Sequence, residues 1–197
     1  AIDRANELGL DLIITDHHKI PAETQDIYAV IHPELSPNNS PYKYLAGVGI
    51  AYMLVKYICR KIDYNPNDLS ANALFCIGTV ADMAPILGAN RKWLKELLPT
   101  VNNTNNIGIR SIIKKLSIDK NTITSEDIGY KIAPLINAVG RISDPKLIID
   151  LLTNSSETSI TKLTNNCFKI NKERKEITAL IEKEAIKIAD HQYATNR

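Results

Sequence analysis

The spacing of apolar positions changes along the chain and predicts two strands followed by a series of helices. The runs "LDLIITD" at 10–16 and "YAVIHP" at 28–33 are short, rich in aliphatic residues and separated by a turn. Such continuous apolar runs are typical of parallel strands that are buried on both faces. From Gly47 onward apolar residues recur with helical spacing. The pattern therefore predicts an α/β fold that is rich in helices and contains a parallel sheet.

Helical periodicity is found in several segments of the chain. They cover residues 1–10, 47–62, 68–85, 91–98, 108–116, 125–137, 145–152 and about 157–189. We expect Asp68 or Ser70 to cap the segment at 68–85, and Ser125 to cap the segment at 125–137. The last segment has mixed charges and no Gly or Pro, which predicts one long, partly exposed helix that serves as a connector or packing arm. Its charges are typical of a solvated helix face, with a nucleic-acid contact surface as the alternative.

Composition narrows the class of protein only a little. The 197 residues are 44% hydrophobic, which is enough to bury one sizeable core. The 24 basic and 22 acidic residues give a formal charge of +2, which excludes neither a nucleic acid nor a small anionic substrate. The three cysteines are isolated and without CxxC spacing, which favours a reducing compartment such as the cytoplasm, or the stroma of a plastid if an organelle encodes the protein.

The sequence also predicts that the protein has no membrane partner and that further sequence precedes Ala1. No apolar run approaches the roughly 20 residues that cross a bilayer, so we expect no membrane partner. The chain opens at Ala1 inside a helical pattern rather than ahead of one. We therefore expect further sequence to precede it.

The first candidate site is the polar triplet that ends the first strand. Asp16, His17 and His18 follow "LDLIIT" directly, and ligands of open α/β sheets bind beyond the carboxyl ends of the strands. Neighbouring residues in an extended chain point to opposite sides, so we expect His17 and His18 to have different roles. The alternative is a pair of loop histidines that only caps the strand.

The second candidate is Asp82, which lies in "CIGTVADMAPI" among apolar and small residues. A carboxylate buried there would need a cation or strong hydrogen bonds, and a metal ion is one such cation. His with carboxylate is a usual ligand set for Mn²⁺ or Mg²⁺-like sites. The alternative is a residue at the end of a helix that is turned to solvent.

The third candidate is the segment "PLINAVGRISDP". Arg141 could serve as a forked donor to a phosphate, with Asn137 beside it. The alternative is an exposed arginine after a helix that is capped by Gly140. The lone G-x-G in "LAGVGIAY" indicates close backbone packing rather than a phosphate loop.

Four segments together resemble a known family. "DLIITDHH", "LAGVGIAYMLVK", "GTVADMAPI" and "NAVGR", in this order and spacing, are similar to the DHH phosphoesterase family, and within it to exonucleases specific for single-stranded DNA. The resemblance covers residues 1 to about 189. It implies that residues 1–154 form the C-terminal part of a DHH-type domain. Residues 155–197 would then form a connector helix toward a second domain.

The resemblance also implies roles for the candidate residues. His17 and Asp82 match metal ligands of the family, Asp16 supports His17, and His18 faces the substrate phosphate. Such enzymes hydrolyse phosphodiester bonds with two Mn²⁺ or Mg²⁺ ions as cofactors. Among these residues, Asp16 and His18 are the expected catalytic pair.

Substrate, partner and process follow from the same resemblance. Asn137 and Arg141 match a segment along the path of the substrate. The expected partner is single-stranded DNA, digested from the 5′ toward the 3′ end in DNA repair and recombination. Alternatives are a phosphodiesterase for short oligonucleotides or cyclic dinucleotides, and a non-catalytic scaffold, against which the intact His17, His18 and Asp82 argue.

The sequence departs from the family pattern in several places. An aspartate-rich strand and a further aspartate, both ahead of the DHH motif in the family, are not in this sequence, and neither is the smaller domain after the connector. We therefore expect about half of the metal site here. We also expect no nuclease activity from these 197 residues alone. "ISDP" and His32 differ from the common family pattern and are assigned no role.

Overall fold

The structure is a computed structural model that describes residues 2–20, 27–65, 69–118 and 123–195. Two short strands form a parallel sheet, β1 (Ile13–Thr15) and β2 (Ala29–Ile31), with Ile14 opposite Val30. The helices are α1 (Ile2–Glu7), α2 (Gly47–Lys61), α3 (Ser70–Ala81), α4 (Gly88–Leu97), α5 (Ile107–Lys115), α6 (Ser125–Asp127), α7 (Ala133–Ile142), α8 (Lys146–Thr153) and α9 (Glu157–Thr195). Short 3₁₀ segments cover Pro33–Leu35 and Leu98–Asn103, and a π-helical turn covers Ile128–Ile132. The predicted helix-rich fold with a small parallel sheet is confirmed.

The sheet is less buried than its sequence predicts. Ile13 is exposed and Ile14 is only half-buried, so the expectation that both faces of β1 are covered is wrong for the described residues. The reason is that α2 is the helix with substantial contact to β1 in the part of the chain that the structure describes. Apolar side chains on the other face of a two-stranded sheet then remain in solvent.

The chain divides into two compact units. The first comprises Ala1–Asn105 and Ile118–Gly129, and the second comprises Asn106–Ser117 and Tyr130–Arg197. In the first unit, Leu45, Ile50 and Ala89 form a buried cluster against which Trp93 packs. Burial of the Leu45 and Ile50 side chains contributes roughly 1.5–3 kcal/mol each. This core holds α2, α3 and α4 together behind the ends of the strands.

The second unit is built around the first half of α9. Ile160, Cys167 and Ile170 are buried, and α9 packs on α5, α7 and α8. From 175 to 193 every residue of α9 is exposed. A long, partly exposed helix is therefore present, while its role as a connector and the division at residue 154 stay predictions.

Several helix ends differ from the sequence-based expectations. Thr124 rather than Ser125 caps α6. The Thr124 hydroxyl accepts a hydrogen bond from the backbone N–H of Asp127, and the Asp127 carboxylate accepts one from the backbone N–H of Thr124, which forms a capping box. Gly140 lies inside α7 and does not cap it, because the helix continues to Ile142. Asp68, a predicted cap of α3, lies outside the described residues.

Within the described ranges, none of the helices combines the length and apolar character needed to span a bilayer. This finding includes α9, whose mixed charges interrupt its apolar positions.

Candidate active site

The triplet at the end of β1 is organised by its own aspartate. Oδ1 of Asp16 accepts hydrogen bonds from the backbone N–H of His17 at 2.7 Å and of His18 at 3.2 Å. The amide of Asp16 itself donates to the carbonyl of Ile31 in β2 at 3.3 Å. The carboxylate thus folds the chain into a tight turn directly after the strand, as Asp side chains commonly do.

The same carboxylate orients the second histidine. Nδ1 of His18 lies 2.7 Å from Oδ1 of Asp16. Because an ionised carboxylate can only accept, Nδ1 carries the proton and Nε2 is left for another partner. The hydrogen bond from the His18 ring, joined by the amides of His18 and His17, lowers the pKa of Asp16 to about 2. Asp16 is therefore ionised at every ordinary pH.

The first histidine faces the other predicted ligand. Nδ1 of His17 is 3.6 Å from Oδ2 of Asp82, although the two residues are far apart in sequence. Asp82 directly follows α3 as its C-cap, and its side chain is 46% exposed. Of the two alternatives for its burial, the structure shows the residue at a helix end that is turned to solvent: the apolar neighbours lie on the body of α3, whereas Asp82 stands at its open end.

The two histidine rings lie side by side rather than opposed. Their centroids are 4.4 Å apart. The alternation of an extended chain ends at Thr15, and Asp16 then draws both following amides to one oxygen. The prediction that the two side chains point to opposite sides is therefore wrong. Their partners do differ: His17 faces Asp82, and His18 is hydrogen-bonded to Asp16.

His17, His18 and Asp82 line a cleft of about 420 Å³ in the first unit. Its lining residues are His17, His18, Pro33, Glu34, Lys43, Tyr44, Leu45, Ala46, Asp82, Met83, Ala84 and Pro85. Lys43 is the basic side chain with a permanent charge in this lining, and its Nζ donates to Asn38 at 2.6 Å. A cation beside a candidate phosphate site is a functional feature that the sequence analysis missed. A lysine in a Pro-rich and Asn-rich loop carries no pattern that marks it.

A buried side-chain amide joins two of the segments that line the cleft. Nδ2 of Asn90 donates to the carbonyls of Tyr44 at 2.6 Å and Pro85 at 3.0 Å. The segment that leads into α2 and the segment that follows Asp82 are therefore fixed to one side chain.

The first residue of α2 lies directly against His17. A Cβ placed on Gly47 would be 3.2 Å from Cδ2 of His17, which is tighter than ordinary van der Waals contact. The predicted close packing at the G-x-G segment is confirmed here, and its partner is the candidate ligand. The ring of His17 is thus held between Gly47 on one side and Asp82 on the other.

The donor set fits a divalent ion. Ligands on adjacent corners of an octahedral Mg²⁺ site are about 3 Å apart, and the 3.6 Å between His17 and Asp82 needs only a small rotation of an exposed carboxylate to match. The carbonyl end of α3 also carries partial negative charge, which favours a cation beside Asp82. Asp16, His17 and His18 form a further group whose potential ligand atoms lie within 4.8 Å of one another.

The structure thus brings together four of the six predicted site residues. Asn137 and Arg141 form a separate pair in the second unit, on α7. Four residues apart in a helix, they lie on one face, and both are exposed. They therefore belong to a different unit from the cleft, and their contact with the substrate stays a prediction.

Comparison with known proteins finds a family to which the first part of the chain is similar. Residues 1–79 match the model of the "DHH family, N-terminal domain". The resemblance of the chain to the DHH family is thereby confirmed, and it extends over most of the sequence to one kind of protein in particular.

The proteins to which the chain is similar are RecJ exonucleases. The single-stranded-DNA-specific exonuclease RecJ of Bacillus subtilis (strain 168) is 35% identical over 188 residues, which covers 95% of this chain and 23% of that protein. The protein with the same description from Escherichia coli (strain K12) is 29% identical, covering 96% of this chain and 35% of that protein. The chain therefore spans about a quarter to a third of the length of these curated relatives.

Solved structures give the same result. RecJ from Thermus thermophilus in complex with Mn²⁺ has a TM-score of 0.79 and 26% identity, and the match covers 92% of this chain and 28% of that one. A crystal structure of exonuclease RecJ bound to manganese has a TM-score of 0.80 and 27% identity, covering 91% of this chain and 45% of that one.

Proposed function

We propose that this chain is part of a RecJ-like, metal-dependent exonuclease that hydrolyses phosphodiester bonds of single-stranded DNA from the 5′ end. The observation that carries the proposal is the approach of His17 to Asp82 across the cleft, at 3.6 Å. Two donors from distant parts of the sequence meet at the open end of a parallel strand, where open α/β sheets bind ligands. The names of the similar proteins, exonucleases and manganese complexes, support the same chemistry.

His17 and Asp82 are the residues that would hold a divalent ion. Imidazole nitrogen and carboxylate oxygen form a mixed ligand set suited to Mn²⁺. Two such ions, Mn²⁺ or Mg²⁺, would supply water activation and charge neutralisation for in-line displacement at a phosphate. A two-ion site needs more ligands than this facing pair, so we expect no measurable nuclease activity from these 197 residues alone.

Asp16 and His18 would act on the substrate side of the cleft. Asp16 fixes the ring of His18 through the 2.7 Å hydrogen bond to Nδ1, which leaves Nε2 to meet a phosphate or leaving-group oxygen. The His18 side chain is 78% exposed, so a nucleotide can reach it. Lys43 adds a positive charge to the same cleft.

Asn137 and Arg141 would bind the DNA strand outside the reacting phosphate. A guanidinium can donate two parallel hydrogen bonds to a phosphate, and an exposed amide four residues earlier extends the same helix face. Phosphate contacts of this type position a strand without reading its sequence. This suits an enzyme that must process any single strand.

The test compares His17→Ala and His18→Ala in the full-length protein that contains this chain. His17→Ala should weaken Mn²⁺ binding in calorimetric titration, because it removes a ligand. His18→Ala should bind Mn²⁺ almost as the wild type does, but its kcat on single-stranded DNA should fall by roughly 100-fold or more, because it removes an interaction made during the reaction.

Substrates with labels at either end separate the alternatives. Wild-type protein should release 5′ nucleotides from single strands and leave duplexes and cyclic dinucleotides largely intact. Preference for cyclic dinucleotides or very short oligonucleotides would instead assign the protein to the phosphodiesterases that act on those substrates. No metal-dependent hydrolysis of any of these substrates would leave a non-catalytic scaffold.

A further inference from the structure

A buried histidine behind the cleft is not used by the proposed function. His32 directly follows β2 and is 7% exposed. Its Nε2 lies 2.7 Å from the carbonyl oxygen of His18, and its Nδ1 lies 3.1 Å from the backbone nitrogen of Glu34. The side chain therefore joins the end of β2 to the DHH turn.

The two contacts define a single protonation state. The amide of Glu34 can only donate, so Nδ1 of His32 must accept and is unprotonated. The carbonyl of His18 can only accept, so Nε2 of His32 must carry the proton. The two contacts thus select the tautomer with the proton on Nε2, and both ring nitrogens of this buried side chain are hydrogen-bonded.

We propose that His32 is a positioning residue for the DHH turn: it anchors the His18 peptide from behind while Asp16 holds the same residue from the front. The front contacts act on the amide and ring of His18, and the His32 contact acts on its carbonyl. Each fixes a different part of the residue, so both are needed to fix the ring in space. The catalytic consequence rests on the proposed function, whereas the geometric one does not.

Within the turn, His18 has the least packing, which is why a rear anchor matters there. His18 is largely exposed, so few packing contacts restrain its ring. Cap residues also fix backbone direction, and His32 caps the 3₁₀ segment Pro33–Leu35 with the same ring. Loss of His32 would free both the turn and the segment that follows β2. A shift of about 1 Å in a reacting group can cost on the order of 100-fold in rate.

Another residue of the chain makes the same pair of contacts and provides a matched control. Oδ1 of Asn106 accepts from the amide of Ile109 at the start of α5 at 2.9 Å. Its Nδ2 donates to the carbonyl of Leu152 at 2.8 Å. Asn106 thus caps a helix and holds a distant carbonyl, as His32 does, but it belongs to the second unit. It also shows that an asparagine can do both jobs at once.

The first experiment reads the protonation state of His32 by NMR of ¹⁵N-histidine-labelled full-length protein. A pyrrole-type shift for Nε2 together with a pyridine-type shift for Nδ1 is the expected result. Protonation of Nδ1, whether in the other tautomer or in the imidazolium, would overturn the proposal, because the Glu34 contact would then be impossible.

The second experiment compares His32→Leu, His32→Asn and Asn106→Leu in the same protein. His32→Leu should shift the backbone amide resonances of His18 and Lys19. At saturating Mn²⁺ it should also lower kcat by about 10- to 100-fold, with Mn²⁺ affinity changed much less. His32→Asn keeps a donor and an acceptor on a shorter side chain, so its kcat should stay within roughly tenfold of wild type. Asn106→Leu should lower stability but leave kcat and the His18 resonances unchanged.

The outcomes separate this inference from the proposed function. If wild-type protein proves to have no nuclease activity, the amide shifts of His18 and Lys19 still decide whether His32 anchors the turn. Unchanged shifts in His32→Leu, or equal losses of kcat in His32→Leu and Asn106→Leu, would overturn the positioning role. If His32→Leu does not fold, the tautomer measurement and the kcat of His32→Asn decide it, and an inactive His32→Asn would count against the proposal.

Discussion

The two walls of the cleft are stabilised in different ways. One wall is the turn after β1, residues 16–18, where the amides of His17 and His18, the carbonyl of His18 and its Nδ1 are all hydrogen-bonded. Asp16 accepts from His17 and His18, and His32 donates to the carbonyl of His18. The other wall is the end of α3, residues 79–84. There a charge, a backbone conformation and a buried hydroxyl are each in a locally unfavourable environment.

Three features of the α3 wall are unfavourable. Asp82 puts a negative charge at the carbonyl end of a 12-residue helix that has no basic residue in its last turn. Met83 adopts a φ of 53°, in the left-handed region that favours glycine, within a Schellman-type ending. The buried hydroxyl of Thr79 has no hydrogen-bond partner among the described residues.

The difference fits the roles that the proposed function gives to the two walls. A satisfied network gives a fixed geometry, which suits groups that must meet a reacting phosphate. An unsatisfied negative end instead provides a favourable environment for a cation, because an ion beside Asp82 offsets both the carboxylate and the helix dipole. On the proposed function, the α3 wall is less stable without a metal ion and gains stability when an ion binds.

The largest expected effect comes from Asp82→Asn. In the full-length protein it should reduce Mn²⁺-dependent hydrolysis by at least about 100-fold, because a ligand becomes a neutral amide. In the presence of a chelator the same variant should be more stable than wild type by roughly 0.3–1 kcal/mol, because the charge at the end of α3 is gone. Nuclease rates and denaturant unfolding with and without Mn²⁺ measure both quantities.

A matched control for this variant lies at the end of α2. Asp63 lies two residues after the last residue of α2, one position further out than Asp82 lies from α3, and has a φ of 52°. Unlike Asp82, it has basic residues, Arg60 and Lys61, in the last turn of its helix. Asp63→Asn should leave the rate of hydrolysis unchanged. It should lower stability slightly, because it removes a carboxylate whose charge Arg60 and Lys61 already offset. If Asp82→Asn lowers chelated stability as Asp63→Asn does, or keeps wild-type hydrolysis, the contrast between the walls is wrong.

Sequence periodicity predicts the elements of this fold well and their partners poorly. The apolar runs and helical spacing place β1, β2 and α2 to within a few residues, since these elements depend on local pattern. The exposure of Ile13 and of Asp82 depends on what covers them in three dimensions, and no local pattern contains that information.

The candidate site shows the same limit. The adjacency of Asp16, His17 and His18 is visible in the sequence, but the approach of His17 to Asp82 is a tertiary contact that only the family resemblance anticipates. His32 was missed because its partner is a backbone carbonyl, which any residue has. Its place before Pro33, at the start of a helical turn, is a capping signal that could have drawn attention to it.

A smaller effect is expected where the satisfied wall meets α2. Gly47→Ala would place a Cβ 3.2 Å from the His17 ring, so the ring must shift by a few tenths of an ångström. We expect about a tenfold loss in Mn²⁺ affinity or rate with little loss of stability, because α2 itself tolerates alanine at its first position. Calorimetric titration of Mn²⁺ measures the affinity.

The matched substitution is Gly140→Ala in α7. Nothing lies within 4 Å of the added Cβ, so the gain in helix propensity, about 0.5–1 kcal/mol, should appear undiminished. Metal affinity should not change. Equal Mn²⁺ affinities for the two alanine variants would show that Gly47 does not limit the position of His17.

The smallest expected effect tests the backbone of the α3 wall. Met83 is 88% exposed, so its side chain contributes little packing, and its left-handed backbone carries a Cβ penalty that glycine would remove. Met83→Gly should therefore raise stability by about 1 kcal/mol, or 2–4 °C in Tm for a chain of this size. Met83→Ala should give no gain, because it shortens the side chain but keeps the Cβ. Thermal unfolding with chelator measures both variants. If Met83→Ala stabilises as much as Met83→Gly, the exposed side chain rather than the backbone is the unfavourable element. The strain at the end of α3 would then no longer distinguish it from the turn after β1.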